Sequence, residues 1–224
     1  MCIVDKRSVS VLFVALVAFA TNSELSATEL IQNGSFENPG SGSAIVSPGT
    51  EQATGWLQIN STGIYMPSTT MTAQHGSFSY HPGHVWGVGG VQQSFATQMG
   101  EMYSLSFYAN GWQQGIANQM GTVEVGDLTA TFTTQRANTN LTNPNWTLHQ
   151  YQFTATSDTS TLTFTNNSNG MITDDGNAVS IDNVSVTAIS VPEPNQFLLF
   201  SVVGVVAIAF RRSGRVKANE DSIF

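Results

Sequence analysis

Residues 102–110, MYSLSFYAN, decide the fold because apolar and polar side chains alternate along them. Tyr103, Leu105, Phe107 and Ala109 occupy every second position of this stretch. Successive side chains of an extended chain point to opposite faces, so these four residues share one face. A period of two predicts a β-strand with one buried face.

The same alternation recurs in three other stretches. They are TATFTTQ with Ala130 and Phe132, YQFTATS with Tyr151, Phe153 and Ala155, and TLTFTNN with Leu162 and Phe164. Clusters rich in Gly, Asn and Pro, such as HPGH and NTNLTNPN, separate the stretches and are typical of turns. Between residues 28 and 190, no window of 11 residues keeps apolar residues at helical spacing. We therefore predict an all-β fold, a jelly-roll β-sandwich of short antiparallel strands.

The two ends of the chain have a different composition. Lys6 and Arg7 precede an apolar run at residues 9–20, which is the layout of a secretory signal peptide. Cleavage after Ala20 or after Ala27 fits small-residue sites, and we prefer the second. We predict a signal peptide at residues 1–27, removed by signal peptidase, one domain at residues 28–190, and a C-terminal tail at residues 191–224.

The predicted domain is strongly acidic. Arg136 is its only Lys or Arg, against ten Asp and Glu residues, so its formal net charge is −9. Such a domain repels phosphate backbones, which excludes nucleic acid as a partner. The only cysteine, Cys2, lies within the predicted signal peptide, so the mature domain contains no disulfide.

The last apolar strand contains a change of parity. Val179 and Ile181 have odd numbers, whereas Val184 and Val186 have even numbers. A β-bulge at Asp182 and Asn183 would produce this change and re-aim a side chain.

The early stretch NGSFE contains three features. Gly34 permits a turn with positive φ, Phe36 supplies an apolar anchor, and Glu37 points away from Phe36. First and last strands of a sandwich often neighbour, so Glu37 could meet Asp182. Two carboxylates brought together would favour a hard cation with oxygen ligands, such as Ca²⁺. The alternative is that Glu37 is a solvated acid and Asp182 caps a turn.

Four segments in order resemble galactose-binding-domain-like jelly rolls, which include many carbohydrate-binding modules. They are ELIQNGSFENPG, TGWLQ, GVQQSFATQMGEMYSLSFYANGW and AVSIDNVSVTAI, and the resemblance spans residues 29–189. In those modules the matching Glu and Asp bind a structural calcium. The resemblance therefore implies Glu37 and Asp182 as metal ligands, with Ca²⁺ as the cofactor.

Sugar binding needs aromatic faces with polar groups beside them. The GW at Trp56 is typical of core packing, whereas Trp86, Trp112 and Trp146 stand among Gly, Gln, His or Asn residues. We predict one ligand-binding cluster, which consists of Tyr80, Trp86, Trp112, Gln113 and Gln114. The alternative for each aromatic residue is packing in the core or at its rim.

Other polar groups favour simpler interpretations. Asp174, Asp175 and Asn177 are typical of a tight turn, because they lack the alternating spacing of a Ca²⁺ loop. His75, His81 and His84 are more typical of a loop lining than of a zinc site, because no clear fourth ligand accompanies these three histidines. The chain has no G-x-S-x-G motif, and its well-placed acids are assigned to the metal, so we predict that it is not an enzyme.

The tail VPEP, an apolar run at residues 197–210 and a basic pair resemble the PEP-CTERM sorting signal of Gram-negative-type bacteria that make exopolysaccharide. The resemblance implies that an exosortase recognises Pro192, Glu193 and Pro194, while Arg211 and Arg212 stay inside. The run contains 14 residues and as a helix reaches only about 21 Å, against a hydrocarbon core of about 30 Å. It therefore suits a transient inner-membrane anchor. The further residues VKANEDSIF depart from the usual short ending.

These features together predict an exported, non-enzymatic protein of the cell surface or extracellular matrix. Its jelly roll is expected to bind polysaccharide. The alternative is a structural or adhesive matrix protein with no specific sugar site, and a glycan-active enzyme is the least favoured reading.

Overall fold

The computed structural model describes residues 27–38, 44–83, 88–111, 119–134, 142–167 and 178–189. These residues contain eleven β-strands. In chain order the strands are β1 (Ala44–Val46), β2 (Leu57–Ile59), β3 (Gly63–Pro67), β4 (Phe78–His81), β5 (Gly90–Ala96), β6 (Met102–Gly111), β7 (Gln119–Val125), β8 (Leu128–Thr134), β9 (Thr147–Thr154), β10 (Thr159–Asn166) and β11 (Val179–Ala188).

The strands form two antiparallel sheets. The six-stranded sheet has the order β1-β3-β4-β11-β6-β9, and the five-stranded sheet has the order β2-β5-β10-β7-β8. Consecutive strands often lie in different sheets: β9 and β11 belong to the six-stranded sheet, and β10 belongs to the five-stranded sheet. The predicted all-β jelly-roll sandwich is confirmed.

The core lies between the sheets and is rich in aromatic rings. Phe107 of the six-stranded sheet packs edge-on against Phe132 and Phe164 of the other sheet, with ring centroids 5.0 and 4.8 Å apart. The alternating residues that the sequence placed on buried faces, Leu105, Phe107, Phe153, Leu162 and Phe164 among them, are buried. Tyr151 and Ala130 are half-buried. The period-two pattern therefore predicted the inner faces of these strands.

The stretch NGSF forms a turn that is fixed from several sides. Asn33 and Phe36 have φ angles of 54° and 59°. The Trp56 indole N–H donates to the Asn33 carbonyl at 3.0 Å, and the Tyr65 hydroxyl donates to the Phe36 carbonyl at 2.8 Å. Trp56 is fully buried, as predicted. These bonds hold Phe36, a bulky residue, in a conformation that it seldom adopts.

Gly34 serves a purpose other than the predicted positive φ. Its amide carbonyl accepts from the Val184 N–H at 2.9 Å, and a Cβ atom on Gly34 would overlap the Val184 carbonyl oxygen. The turn takes its positive φ angles at Asn33 and Phe36 instead. Glycine is therefore required here by the close approach of two backbones.

The predicted bulge is present in β11. Its register against β6 shifts between Asp182 and Ser185, and Asn183 has a φ of 49°. The bulge lies beside the N-terminal turn, because Val184 pairs with Gly34. It therefore brings the first described segment and the last strand together.

The predicted signal peptide and sorting tail, with Pro192, Glu193, Pro194, Arg211 and Arg212, fall outside the described residues apart from Ala27. Within the part of the chain that the structure describes, no helix is long and apolar enough to cross a membrane.

Candidate functional site

Glu37 and Asp182 approach the same loop between β3 and β4. Oε1 of Glu37 accepts from the backbone N–H groups of Ser77 and Phe78, both at 2.8 Å. A Cβ atom on Gly76, whose φ is +68°, would overlap the Glu37 carboxylate. The Glu37 side chain therefore lies tightly against this loop.

Asp182 binds the preceding residues of the loop. Its Oδ2 accepts from the N–H groups of Gln74 at 2.7 Å and His75 at 2.9 Å, and its Oδ1 accepts from Asn183 at 2.6 Å. Burial raises the pKa of Asp182 to about 7, the three amide donors act to lower it, and the charge of Glu37 acts to raise it. The two carboxylates are thus neighbours, as the sequence predicted.

The pair leaves oxygen positions that a hard cation could use. A carboxylate offers about four acceptor positions, and the described residues fill two on Glu37 and three on Asp182. Oε2 of Glu37 accepts no hydrogen bond from these residues. Among the described side chains, no group of three or more His, Cys, Asp or Glu residues surrounds a common point. A cation here would need backbone carbonyls and water to complete its ligands.

One member of the predicted sugar-binding cluster, Tyr80, is not available to a ligand. Tyr80 is fully buried, its ring stacks on Phe36 at 5.4 Å, and its hydroxyl donates to Gln58 Oε1 at 2.9 Å. Its ring therefore has no face for a sugar, and burial raises the pKa of its hydroxyl. The other members, Trp86, Trp112, Gln113 and Gln114, lie outside the described residues.

The two histidines differ in environment. His75 is exposed in the loop, in keeping with the prediction. His81 instead lies in β4, is buried, and its Nε2 is 2.8 Å from the Ser180 hydroxyl. The loop interpretation was therefore wrong for His81, because β4 extends to this residue. His84 lies outside the described residues.

A polar face covers the outer side of β11, β6 and β9. Three cross-strand rows form it, one pairing Tyr108 with Leu148, one pairing Ser185, Ser106 and Gln150, and one pairing Thr187, Ser104 and Gln152. We call these eight residues the amide–hydroxyl face. All are exposed or half-exposed, and none carries a charge. At its border, the buried Asp182 of β11 pairs with Tyr108, and the exposed Glu29 bridges Thr187.

Aromatic groups lie at one end of the amide–hydroxyl face. Tyr108 is half-exposed, and Leu148 beside it is 44% exposed. Trp146, just before β9, is half-exposed, and its indole N–H donates to the Thr72 carbonyl at 3.1 Å. Thr72 belongs to the same β3–β4 loop that Asp182 binds.

The sequence analysis missed Tyr108, although a signal was present. Tyr108 has the opposite parity from Tyr103, Leu105 and Phe107, so it is an aromatic residue on the solvent side of an amphipathic strand. Its ring lies opposite Leu148 of β9, so the two side chains form an exposed apolar pair on the outer side of the sheet.

Comparison with known proteins gives one family and several similar folds. The model of a family described as protein of unknown function, DUF642, matches residues 29–187. Halomucin from Haloquadratum walsbyi is 30% identical over 196 residues, which cover 81% of this chain and 2% of halomucin.

Among solved structures, a Stig cyclase, Fisc, from Fischerella sp. TAU has a TM-score of 0.51 and 17% identity, covering 73% of this chain and 98% of that chain. TmCBM61, solved with β-1,4-galactotriose, has a TM-score of 0.44 and 10% identity, covering 73% of this chain and 100% of that chain. At such identities a structural likeness concerns the fold alone.

Proposed function

We propose that this chain, which belongs to the DUF642 family of proteins of unknown function, binds neutral polysaccharide through the amide–hydroxyl face. The observation that carries the proposal is the half-exposed ring of Tyr108 in a row with exposed Leu148, next to two rows of uncharged hydroxyl and amide groups. Two carboxylates, Asp182 opposite Tyr108 and Glu29 opposite Thr187, lie at the β11 border of the face. A sugar ring presents apolar C–H groups on its face and hydroxyls at its edge. The ring of Tyr108 can pack against the C–H groups, and Gln150 and Ser106 can form hydrogen bonds with the hydroxyls.

The charge distribution favours a neutral polymer. The chain has a formal net charge of −8, and no cationic side chain lies among the eight residues of the face. Hydroxyls and amides both donate and accept, so they match sugar hydroxyls without an ionic partner. An acidic polymer would be repelled by the chain as a whole.

The test is affinity electrophoresis of the full chain against β-1,4-galactan, xylan, mixed-linkage β-glucan and dextran, with polygalacturonate as the acidic comparison. We expect retardation by at least one neutral polymer. Tyr108→Ala should weaken it roughly 30-fold, because truncating a central aromatic contact costs about 2 kcal/mol. Tyr108→Phe should keep most of the affinity.

Met120→Ala provides the matched control, since Met120 is exposed on the five-stranded sheet, away from the face. It should bind as the wild type does. Equal binding by Tyr108→Ala and Met120→Ala would refute the role of the face. No binding to any polymer would favour the alternative, a structural or adhesive matrix protein.

We also propose that Glu37 and Asp182 hold a structural Ca²⁺ together with carbonyl oxygens and water. The support is the meeting of two carboxylates at one loop and the acceptor positions that remain open on both. Calcium would neutralise the repulsion between them and stabilise the loop and the bulge.

Thermal unfolding with and without chelator tests the metal. EDTA should lower the melting temperature of the full chain, and added Ca²⁺ should restore it, because a ligand of the folded state stabilises that state. Glu37→Gln should remove the response to Ca²⁺, whereas Glu124→Gln, at an exposed acid of β7, should keep it. An identical melt in EDTA and Ca²⁺ would refute the site.

The remaining predictions complete the proposal. We propose export by a cleaved signal peptide and sorting by an exosortase to the cell surface or matrix, after transient anchoring in the inner membrane. We further propose binding without turnover. The mature protein should lack Met1 and Phe224, which mass spectrometry measures. Polysaccharides incubated with the protein should keep their chain length.

A further inference from the structure

In each sheet one edge strand is short and the other is long. We call the side of the sandwich with the two long edge strands, β8 and β9, the open side. The edge strands β1 and β2 contain three residues each, whereas the edge strands β8 and β9 contain seven and eight. β8 and β9 lie beside each other, since the Asp127 N–H donates to the Thr154 carbonyl at 3.2 Å. Long edges are a template for further strand pairing, and proteins commonly shorten or charge them.

Within the described residues, the two strands of the open side carry none of the residues that usually protect an edge. The sequences of β8, LTATFTT, and β9, TLHQYQFT, contain no Asp, Glu, Lys, Arg, Pro or Gly. Thr129, Thr131 and Thr133 of β8 are exposed and β-branched, which suits an extended strand. In a chain with a net charge of −8, an uncharged edge is where two copies can approach with least repulsion.

The two edges are not equally available. The last residue of β9 is already bound, because the Thr154 N–H donates to Asp127 Oδ1 at 2.6 Å. Among the described residues, β8 has its ladder partner on one side only, which is β7. β8 is therefore the better template.

We infer that β8 pairs antiparallel with β8 of a second copy of this chain about a two-fold axis at Thr131. An antiparallel pair of identical strands is self-complementary, as a two-fold interface requires. This register sets Thr129 opposite Thr133 of the second copy, and cross-strand Thr–Thr pairs are favourable. The two five-stranded sheets then become one continuous sheet.

The pairing has a consequence that rests on the proposed function. A dimer carries two amide–hydroxyl faces. A polymer long enough to reach both should bind the dimer more tightly than a single domain, because the second contact is intramolecular and has a high effective concentration. The pairing itself does not depend on sugar binding.

The test uses the purified full chain in a mild detergent, because residues 197–210 are apolar. Size-exclusion chromatography with light scattering should give a dimer at micromolar concentration. Thr131→Lys should raise the dimer dissociation constant at least about tenfold, since two ammonium groups would face each other across the axis. Thr159→Lys, at an exposed position of the internal strand β10, should leave the dimer intact.

A covalent probe tests the register. With Cys2 replaced by Ser, Thr131→Cys should form an intermolecular disulfide under mild oxidation, because directly opposed residues bring their Cβ atoms within reach. Thr159→Cys should stay monomeric on a non-reducing gel. Equal melting temperatures of the two Lys variants would establish that both fold.

A monomeric wild type would overturn the inference, as would a Thr131→Lys variant that dimerises like Thr159→Lys. If the dimer is lost only when residues 191–224 are removed, the tail causes the association, and this result would also overturn the inference. The outcome of the polysaccharide assay with Tyr108→Ala does not depend on any of these three results. A failure of strand pairing can therefore be distinguished from a failure of sugar binding.

Discussion

His149 in β9 is a titratable group inside an aromatic cluster. Its ring stacks on Phe107 at 5.2 Å and lies 5.4 Å from the ring of Phe132. Its Nε2 is buried and has no hydrogen-bond partner among the described residues. Burial lowers the pKa of His149, so the folded chain favours the neutral ring.

This environment predicts a pH dependence of stability. The pKa of a histidine in the unfolded chain is about 6.5, and that of His149 in the folded chain is lower. Below the unfolded value the unfolded chain binds more protons at this histidine, so the contribution of His149 to the free energy of unfolding should fall as the pH falls. Asp182, whose pKa is raised to about 7, contributes with the opposite sign, and only the His149 contribution is lost in a His149 variant. His149→Phe should flatten that fall in urea titrations between about pH 7 and pH 5. His75→Gln, at an exposed loop position, should not, and an unchanged slope in His149→Phe would contradict the assignment.

Single residues were predicted best where one face of their strand meets solvent. Leu105 and Phe107 were placed correctly because polar neighbours alternate with them. Tyr80 was not, although FSYH alternates apolar and polar residues, because the polar residues HPGH that follow pointed to a surface loop. All four residues of β4 are buried, and no local pattern predicts the cover over Ser79 and His81.

At the scale of elements, the sequence predicted β6, β8, β9 and β10 and also the bulge in β11. It did not predict how the β3–β4 loop is held, since that depends on carboxylates distant in the chain. The meeting of Glu37 with Asp182 was predicted because the bulge and the resemblance pointed to the same two residues.

The junction between the N-terminal turn and the bulge gives a test at this scale. Gly34→Ala should lower the free energy of unfolding by about 2 kcal/mol or more, because the added methyl would separate Gly34 from Val184 and break their hydrogen bond. Gly100 has a φ of +87° but open space around it. Gly100→Ala should therefore lower the free energy of unfolding by less, about 1 kcal/mol. Urea denaturation measures both. A loss in Gly34→Ala no larger than the loss in Gly100→Ala would contradict close backbone approach as the reason for Gly34.

At the scale of the whole molecule, the two sheets depend on the aromatic cluster that joins them. Phe164→Ala should cost about 3–5 kcal/mol, a large part of the 5–15 kcal/mol typical of a domain. Leu148→Ala, at an exposed position of the amide–hydroxyl face, should cost far less. Thermal denaturation followed by circular dichroism compares the two. Similar melting temperatures would mean that the sheets are held together elsewhere.

The hydrogen bonds of Leu30 to Val186 and of Val184 to Gly34 join segments that are at least 150 positions apart in the chain. A chain synthesised from its N-terminus cannot close this junction until β11 has emerged. Loop closure over such a separation also makes folding slow. The chain therefore stays without its complete fold while it is being made, and an unfolded chain is the form that suits the export proposed above.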